Sequence, residues 1–182
     1  DAVVAAVEPV TLLLNVPSVT TPEAGAESIG LAGRWPEDKS GILPLKRHVL
    51  RLKPCAPLQA GASGLHVLTQ DWRTERKLKD DIARLEQEYI VEVSGTLSAS
   101  QLKRLIHGLN FNGIFLPPCK VSWQNETHLR FALTNPLPGQ IEYMCTKVGL
   151  KVLGIKRIRI GGVPLAKVKP GQWRYLAPNE RF

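Results

Sequence analysis

The sequence predicts an α+β fold: a mixed, mostly antiparallel sheet with helices on its flanks. Strand patterns lie close together, since Glu88 to Val93 (EYIVEV) alternates strictly and residues 119–124 and 128–133 flank an Asn-Glu-Thr turn. A helical pattern interrupts them over residues 72–85, where Leu78, Ile82 and Leu85 recur at helical spacing. Strands joined by hairpins and interrupted by helices are typical of the α+β class.

The first half of the chain predicts three strands in order. Thr11 to Asn15 is an apolar run that Pro17 ends, which indicates a buried strand. Residues 18–45 form a long connection rich in Pro, Gly, Ser and Thr. Cations interleave with Val and Leu over residues 46–53, so we expect a strand there with one wet, cationic face. Gly64 to Thr69 is the next buried strand.

The second half predicts two helices and two strands. Ser98 caps a helix that runs to about His107, and a helix over Gly139 to Val148 ends at Gly149. Lys151 to Ile160 returns as a strand broken at Gly154. Its alternation is expected to place Arg157 and Arg159 together on one side. A turn at residues 170–172 leads into a last short strand.

Length and charge indicate a basic globular protein. The 182 residues carry a net charge of +8, with 43% hydrophobic and 22% charged residues. From Tyr143 to Asn179 there are eight Lys or Arg residues and no acid. Clustered cations favour a polyanionic partner, because they replace the counterions condensed on a phosphate backbone. The length allows one large domain or two small, closely packed ones over residues 1–182.

The cysteine pattern argues against metal and disulfide frameworks. Cys55, Cys119 and Cys145 are widely spaced, with no CxxC motif and no Cys/His cluster. Reduced buried thiols are expected, as in a cytoplasmic protein. No apolar run approaches the roughly 18 residues of a membrane span, and residues 1–10 lack the basic region of a secretory signal. No cofactor is expected, and the chain is expected to be a monomer.

Five stretches together resemble the RNA pseudouridine synthases of the RsuA/RluF branch, from about Pro9 to Ala177. LLLNVP is similar to the family's opening strand, ASGLHVLTQD to its T-x-G-L-x-x-L-T-N-D strand and QEYIVEV to the strand with its active-site tyrosine. GQIEYMC resembles the helix that begins R-Q-I-R-R-M-C, and PGQWRYL resembles the G-E-W-R-x-L ending. The order of the five is the family's own.

The resemblance implies a single domain over residues 1–182 with the pseudouridine synthase fold and a central RNA-binding cleft. That cleft could divide the domain into two subdomains, and no S4 domain is expected within residues 1–182. It also implies isomerisation of a uridine in RNA, for which the target nucleotide leaves its stack. In the family an aspartate within G-R-L-D does the essential chemistry and must be a carboxylate. Tyr89 matches the family's tyrosine.

This sequence departs from the family pattern where the chemistry resides. The aspartate position is Gln59, and the preceding arginine position is Pro57. The late-helix arginines fall on Glu142 and Tyr143, with Gly139 before them, and the opening lysine becomes Val16. An amide is no nucleophile and has no proton that titrates near neutrality. The sequence therefore predicts an impaired catalyst.

A competing register remains. Gly33 to Gly41 (GRWPEDKSG) also resembles G-R-L-D-x-D-x-S-G, with Pro36 at the catalytic position. The Gln59 register is preferred because its strand continues into the matching helix and the Tyr89 strand. Neither supplies the acid, so an active isomerase would need Glu37, Asp38 or Asp71.

The candidate site residues fall into two groups. The catalytic position is Gln59, with Tyr89 as its pocket partner. The candidate RNA contacts are Lys46, Arg47, Arg51, Lys53, Lys156, Arg157 and Arg159. The partner expected is ribosomal RNA, bound by a module that keeps the cleft and has lost catalysis.

Overall fold

The structure, a computed structural model, describes residues 8–18 and 29–182. Residues 19–28 of the predicted long connection lie outside this range. Eleven strands and three α-helices are present in the described residues. They are β1 (Thr11–Val16), β2 (Lys53–Cys55), β3 (Ala62–Thr69), α1 (Trp72–Asp81), β4 (Glu86–Ser94), α2 (Ala99–His107), β5 (Asn110–Phe111), β6 (Ile114–Phe115), β7 (Lys120–Trp123), β8 (His128–Thr134), α3 (Gln140–Lys147), β9 (Lys151–Ile160), β10 (Val163–Pro164) and β11 (Trp173–Tyr175).

One large mixed sheet organises the molecule. Its strand order is β11-β1-β3-β9-β4-β8-β7, with β2 paired to β3 and β10 to β9. Of these pairs only β3 and β9 are parallel. The predicted α+β class with a mostly antiparallel sheet is confirmed. Strands β5 and β6 form a separate small hairpin.

The core is divided between the two halves of this sheet. Strands β4 and β8 pack against α2 and α3 through a cluster that includes Phe131 and Met144. Strands β1 and β3 bury one face under Trp173 and Tyr175, and the other under Leu78 of α1. The halves join at the parallel contact of β3 and β9, so a cleft between them lies over that junction.

A glycine makes the junction possible. Gly64 is paired with Arg157 of β9 and has φ +94, a value that side-chain-bearing residues rarely adopt. A Cβ at Gly64 would fall well inside van der Waals contact of the Arg157 carbonyl oxygen and 2.9 Å from its backbone nitrogen. The close approach of the two strands therefore requires glycine.

The basic segment 46–53 is not the wet-faced strand that its pattern predicted. Lys46–Val49 is a short 3-10 helix, and only Lys53 belongs to a strand. His48 is buried inside the segment, with Nδ1 2.8 Å from the Tyr175 hydroxyl, and this anchor turns the backbone inward. Gln70 Nε2 donates to the backbone carbonyls of Arg47 and Leu50, so a side chain satisfies acceptors that a neighbouring strand would otherwise satisfy.

The alternation predicted for β9 is also wrong at two points. The strand runs through Gly154 without a break, although its pairing with β4 is irregular there. A second irregularity shifts the register so that Arg159 pairs with Glu88 while Arg157 pairs with Tyr89. The bulge at Ile158 adds one residue, and a one-residue shift turns a side chain to the other face. Arg157 and Arg159 therefore lie on opposite faces of the sheet.

No helix in the described residues is long and apolar enough to cross a membrane.

Candidate functional site

A cavity of about 450 Å³ opens over the junction of the two halves. Its walls come from the β2–β3 connection, one side of α1, the inner face of β4 and the loop between β8 and α3. The lining residues are Pro54, Cys55, Ala56, Pro57, Gln59, Glu75, Leu78, Lys79, Ile82, Gln87, Tyr89, Asn135, Pro136, Pro138 and Arg157. The volume is in the range of sites that bind small molecules. Gln59 and Tyr89 share this cavity, which is the geometry expected of them.

Gln59 spans the cavity mouth and holds its two sides together. Leu58 is buried beside it, and a turn follows in which Ala62 N–H donates to the Gln59 carbonyl at 3.0 Å. The side-chain Nε2 donates to the carbonyls of Pro136 at 3.2 Å and Leu137 at 3.3 Å. Both partners are acceptors, so this position uses a hydrogen-bond donor, which a carboxylate is not.

Tyr89 and Gln87 share the buried inner face of β4. The Tyr89 hydroxyl donates to Gln87 Oε1 at 2.7 Å, and Arg157 Nη1 donates to the same oxygen at 3.5 Å. Burial raises the pKa of the Tyr89 phenol, although the charge of Arg157 opposes that effect. Tyr89 therefore stays a neutral phenol with its ring on the cavity wall.

Arg157 is a buried cation with only neutral partners among the described residues. Its Nε and Nη2 donate to the Leu65 carbonyl at 3.0 and 2.8 Å, and Nη2 also donates to the Ala56 carbonyl. Burial lowers its pKa, and Tyr89 acts in the opposite direction. The side chain is 3% exposed, so Arg157 is not the surface contact that the sequence predicted. It brings a positive charge to the cavity wall instead.

Glu75 supplies the one carboxylate among the residues that line this cavity. It lies on α1, with Oε2 3.9 Å from Lys53 Nζ. Glu75 is absent from the site residues predicted from the sequence, because it is an ordinary member of the polar side of an amphipathic helix. Gln87 was missed too, yet a polar residue at an inward position of an alternating strand was a usable signal.

The three acids proposed as substitutes serve other purposes or lie apart. Asp38 Oδ2 accepts from Tyr175 N–H at 2.8 Å and from Arg34 at 3.4 Å. Burial alone would raise the pKa of Asp38, but hydrogen bonds from Tyr175 and Ser40 lower it. Asp71 caps α1 by accepting from Arg73 N–H. Glu37 is exposed, and none of the three lines the cavity.

Glu142 and Tyr143 are the positions that the resemblance aligns with the family's late-helix arginines. Tyr143 donates its hydroxyl proton to the Asn110 carbonyl, with its ring 4.8 Å from that of Phe111. Glu142 is exposed, and neither Glu142 nor Tyr143 is among the residues that line the cavity. The adjacent Gln140 is buried, and its Oε1 accepts from Leu137 N–H at 2.9 Å. Gln140 thereby holds the loop that Gln59 holds from the other side.

The predicted surface cations divide by exposure. Lys46, Arg47, Arg51 and Lys53 are exposed, and Lys156 is half-buried. Arg159 is not available as a free phosphate contact, because it pairs with Glu86 at 2.6 Å and Glu88 at 3.1 Å on the face opposite Arg157. No group of three or more metal-binding side chains occurs in the described parts of the chain.

No family model matches the chain. It is 27% identical over 143 residues to the dual-specificity RNA pseudouridine synthase RluF of Escherichia coli, which covers 79% of this chain and 49% of that protein. It is 28% identical over 153 residues to an uncharacterized RNA pseudouridine synthase of Aquifex aeolicus, covering 81% and 61%. The chain thus spans about half the length of the RluF proteins that it matches.

A solved structure gives the same result for the fold. The crystal structure of a pseudouridylate synthase superposes with a TM-score of 0.73 over 93% of this chain and 71% of that one, at 19% identity. The chain is a homologue of the RluF-type RNA pseudouridine synthases and has the pseudouridine synthase fold.

Proposed function

We propose that this chain binds RNA as a pseudouridine synthase homologue that no longer isomerises uridine. The observation that carries the proposal is the Gln59 amide, which donates to two backbone carbonyls; the sequence resemblance aligns Gln59 with the family's aspartate. Isomerisation needs a carboxylate at that point, either as nucleophile or as base. The amide supplies neither.

The cavity remains suited to an unstacked nucleotide. It is large enough for a base, it carries the Tyr89 ring, and Arg157 adds an uncompensated positive charge to its wall. Exposed Lys53 precedes the lining residue Pro54 in the chain, and exposed Arg47 and Arg51 belong to the segment that Gln70 binds through the carbonyls of Arg47 and Leu50. Flipping a nucleotide into such a cavity costs a few kcal/mol, which contacts to the base and phosphates offset. The names of the relatives above support RNA as the target. A relative in Xanthomonas campestris that is named ribosomal large subunit pseudouridine synthase E, 29% identical over 136 residues, supports ribosomal RNA.

The second hypothesis is an active isomerase with another acid. Glu37, Asp38 and Asp71 do not line the cavity, and Asp38 and Asp71 are engaged by backbone N–H groups. Glu75 is the carboxylate with access to the cavity, so it is the residue that the experiment has to exclude.

Tritium release from 5-tritiated uridine in ribosomal RNA fragments tests the proposal. We expect no release by the wild type, by Gln59→Asp or by Glu75→Gln, while RluF run in parallel releases tritium. Gln59→Asp should stay inactive because its carboxylate lacks the family's late-helix arginines. Tritium release by the wild type would overturn the proposal. If the wild type released tritium and Glu75→Gln did not, the activity would be assigned to Glu75.

A further inference from the structure

An exposed tryptophan begins the helix that supplies one wall of the cavity. Trp72 is the first residue of α1, and 66% of its surface is exposed. Exposing so large an apolar side chain is unfavourable unless a partner covers it, because a tryptophan can bury 150–250 Å². Neither the sheet nor α1 needs Trp72 for packing, since Leu78 is the buried residue of that helix.

Helical geometry places Trp72 in line with the cavity wall. Residues 72, 75, 79 and 82 follow one stripe of α1, at spacings of three, four and three. Glu75, Lys79 and Ile82 line the cavity. Trp72 lies about 4.5 Å along the axis from Glu75, at 1.5 Å per residue. The indole therefore continues this wall beyond the cavity mouth.

The segment that carries the exposed cations is fastened next to Trp72. Gln70, two residues before Trp72, donates to the carbonyls of Arg47 and Leu50. Lys53 Nζ lies 3.9 Å from Glu75, one turn along the helix. Among the described residues, Arg47 and Arg51 form no ion pair, whereas Arg73 is neutralised by Asp71 at 3.2 Å. The surface around the indole thus keeps positive charge.

We propose that Trp72 is a stacking platform for an unpaired base of the RNA next to the nucleotide in the cavity, while Arg47 and Arg51 contact the adjoining phosphates. An aromatic ring flanked by cations is the combination that binds single-stranded nucleic acid, because each base offers a π-face and each phosphate a charge. This inference rests on the proposed RNA binding. It adds Trp72 as a contact residue and specifies that the RNA at this point is single-stranded.

The test compares variants on three probes. A fluorescently labelled short oligouridylate, the same strand in a duplex, and heparin are each titrated with wild type, Trp72→Ala, Trp72→Phe and Phe115→Ala. Phe115 is the matched control, because it is 71% exposed on the β5–β6 hairpin and does not line the cavity. Equal thermal melts establish that each variant is folded.

Trp72→Ala is expected to lower affinity for the single strand about tenfold, the loss of one stacked base. Trp72→Phe and Phe115→Ala should bind nearly as the wild type does. Duplex and heparin should bind Trp72→Ala unchanged, since neither offers an unpaired base. The inference about Trp72 would be overturned, with the proposed function still standing, if Trp72→Ala bound the single strand as tightly as the wild type does. It would also be overturned if Trp72→Ala lost affinity for heparin to the same extent as for the single strand. No binding of the wild type to any RNA at low salt would overturn the proposed function with it.

Discussion

Two amide side chains hold Leu137 from opposite sides. Gln59 Nε2 donates to its carbonyl, and Gln140 Oε1 accepts from its N–H. Each amide has the polarity that the backbone atom requires, and an aspartate at position 59 would set a carboxylate against two carbonyl oxygens. At the scale of single residues, Gln59 acts as a hydrogen-bond donor that fixes the loop at one side of the cavity.

His66 predicts acid sensitivity of the fold. It is buried on β3, and neither ring nitrogen has a hydrogen-bond partner among residues 8–18 and 29–182. Burial, with a further contribution from the charge of Arg157, lowers its pKa from 6.5 to about 4. The unfolded chain therefore binds a proton between these values that the folded chain does not, so stability is present above pH 6.5 and falls as the pH drops toward 4.

Urea unfolding at several pH values measures this effect. From pH 7 to pH 5, His66 should cost the wild type about 2 kcal/mol of unfolding free energy. His66→Leu should lose that much less over the same interval, and His107→Gln, at an exposed position, should match the wild type. Identical pH slopes for wild type and His66→Leu would contradict the prediction.

At the scale of elements, the parallel contact of β3 and β9 is the least tolerant point. The absence of a Cβ at Gly64 lets the strands approach, and Arg157 then reaches the Leu65 carbonyl. A substitution there acts on the sheet, on the cavity wall and on the buried cation together.

Gly64→Ala should therefore destabilise the fold by roughly 3 kcal/mol or more, from positive-φ strain added to a backbone clash. Gly113→Ala is the matched control, with φ +80 and no atom within 4 Å of an added Cβ. It should cost only about 1 kcal/mol, the strain alone. The difference in urea unfolding isolates the clash, and equal losses in the two variants would refute it.

Local pattern predicted the elements whose partners follow from alternation or helical spacing. The strands at Leu12, Val67 and Tyr89 were predicted because one or both of their faces are buried along the whole length. The segment around His48 was not, because its buried anchor, Tyr175, lies 127 residues away. Arg157 and Arg159 were placed on one side because a bulge depends on the partner strand, which periodicity does not contain.

The residues of the candidate site likewise divide into those that the sequence predicted and those that it did not. The resemblance predicted that Gln59 and Tyr89 share a cleft. Gln140 and Glu75 were not identified, since their roles arise only when α3 and α1 approach the loop and turn around Gln59. Trp72 lacked a signal because exposure is a tertiary property.

At the scale of the whole molecule, the net charge of +8 predicts that the proposed RNA binding weakens as the salt concentration rises. Each phosphate contact contributes about −0.7 to the slope of log affinity against log salt for a single strand. Reversal of both Arg47 and Arg51 to Glu should reduce the magnitude of that slope by about 1.4 and weaken all RNA sequences alike.

Fluorescence anisotropy at several salt concentrations provides the measurement. Lys120→Glu together with Lys167→Glu is the control for total charge, because both lysines lie outside the cavity and the segment 46–53. A slope that changes equally in the two double variants would show that the effect is one of net charge.

The junction that carries the cavity joins parts of the chain that are far apart in sequence. Gly64 and Arg157 meet across more than ninety positions, so their pairing closes a long loop, and the entropy of that closure must be overcome before the cavity exists. Proteins rich in such distant contacts fold slowly. RNA could occupy the cavity only in chains that have completed this step. Bound RNA would therefore raise the free energy of unfolding, by an amount that grows with the logarithm of the free RNA concentration.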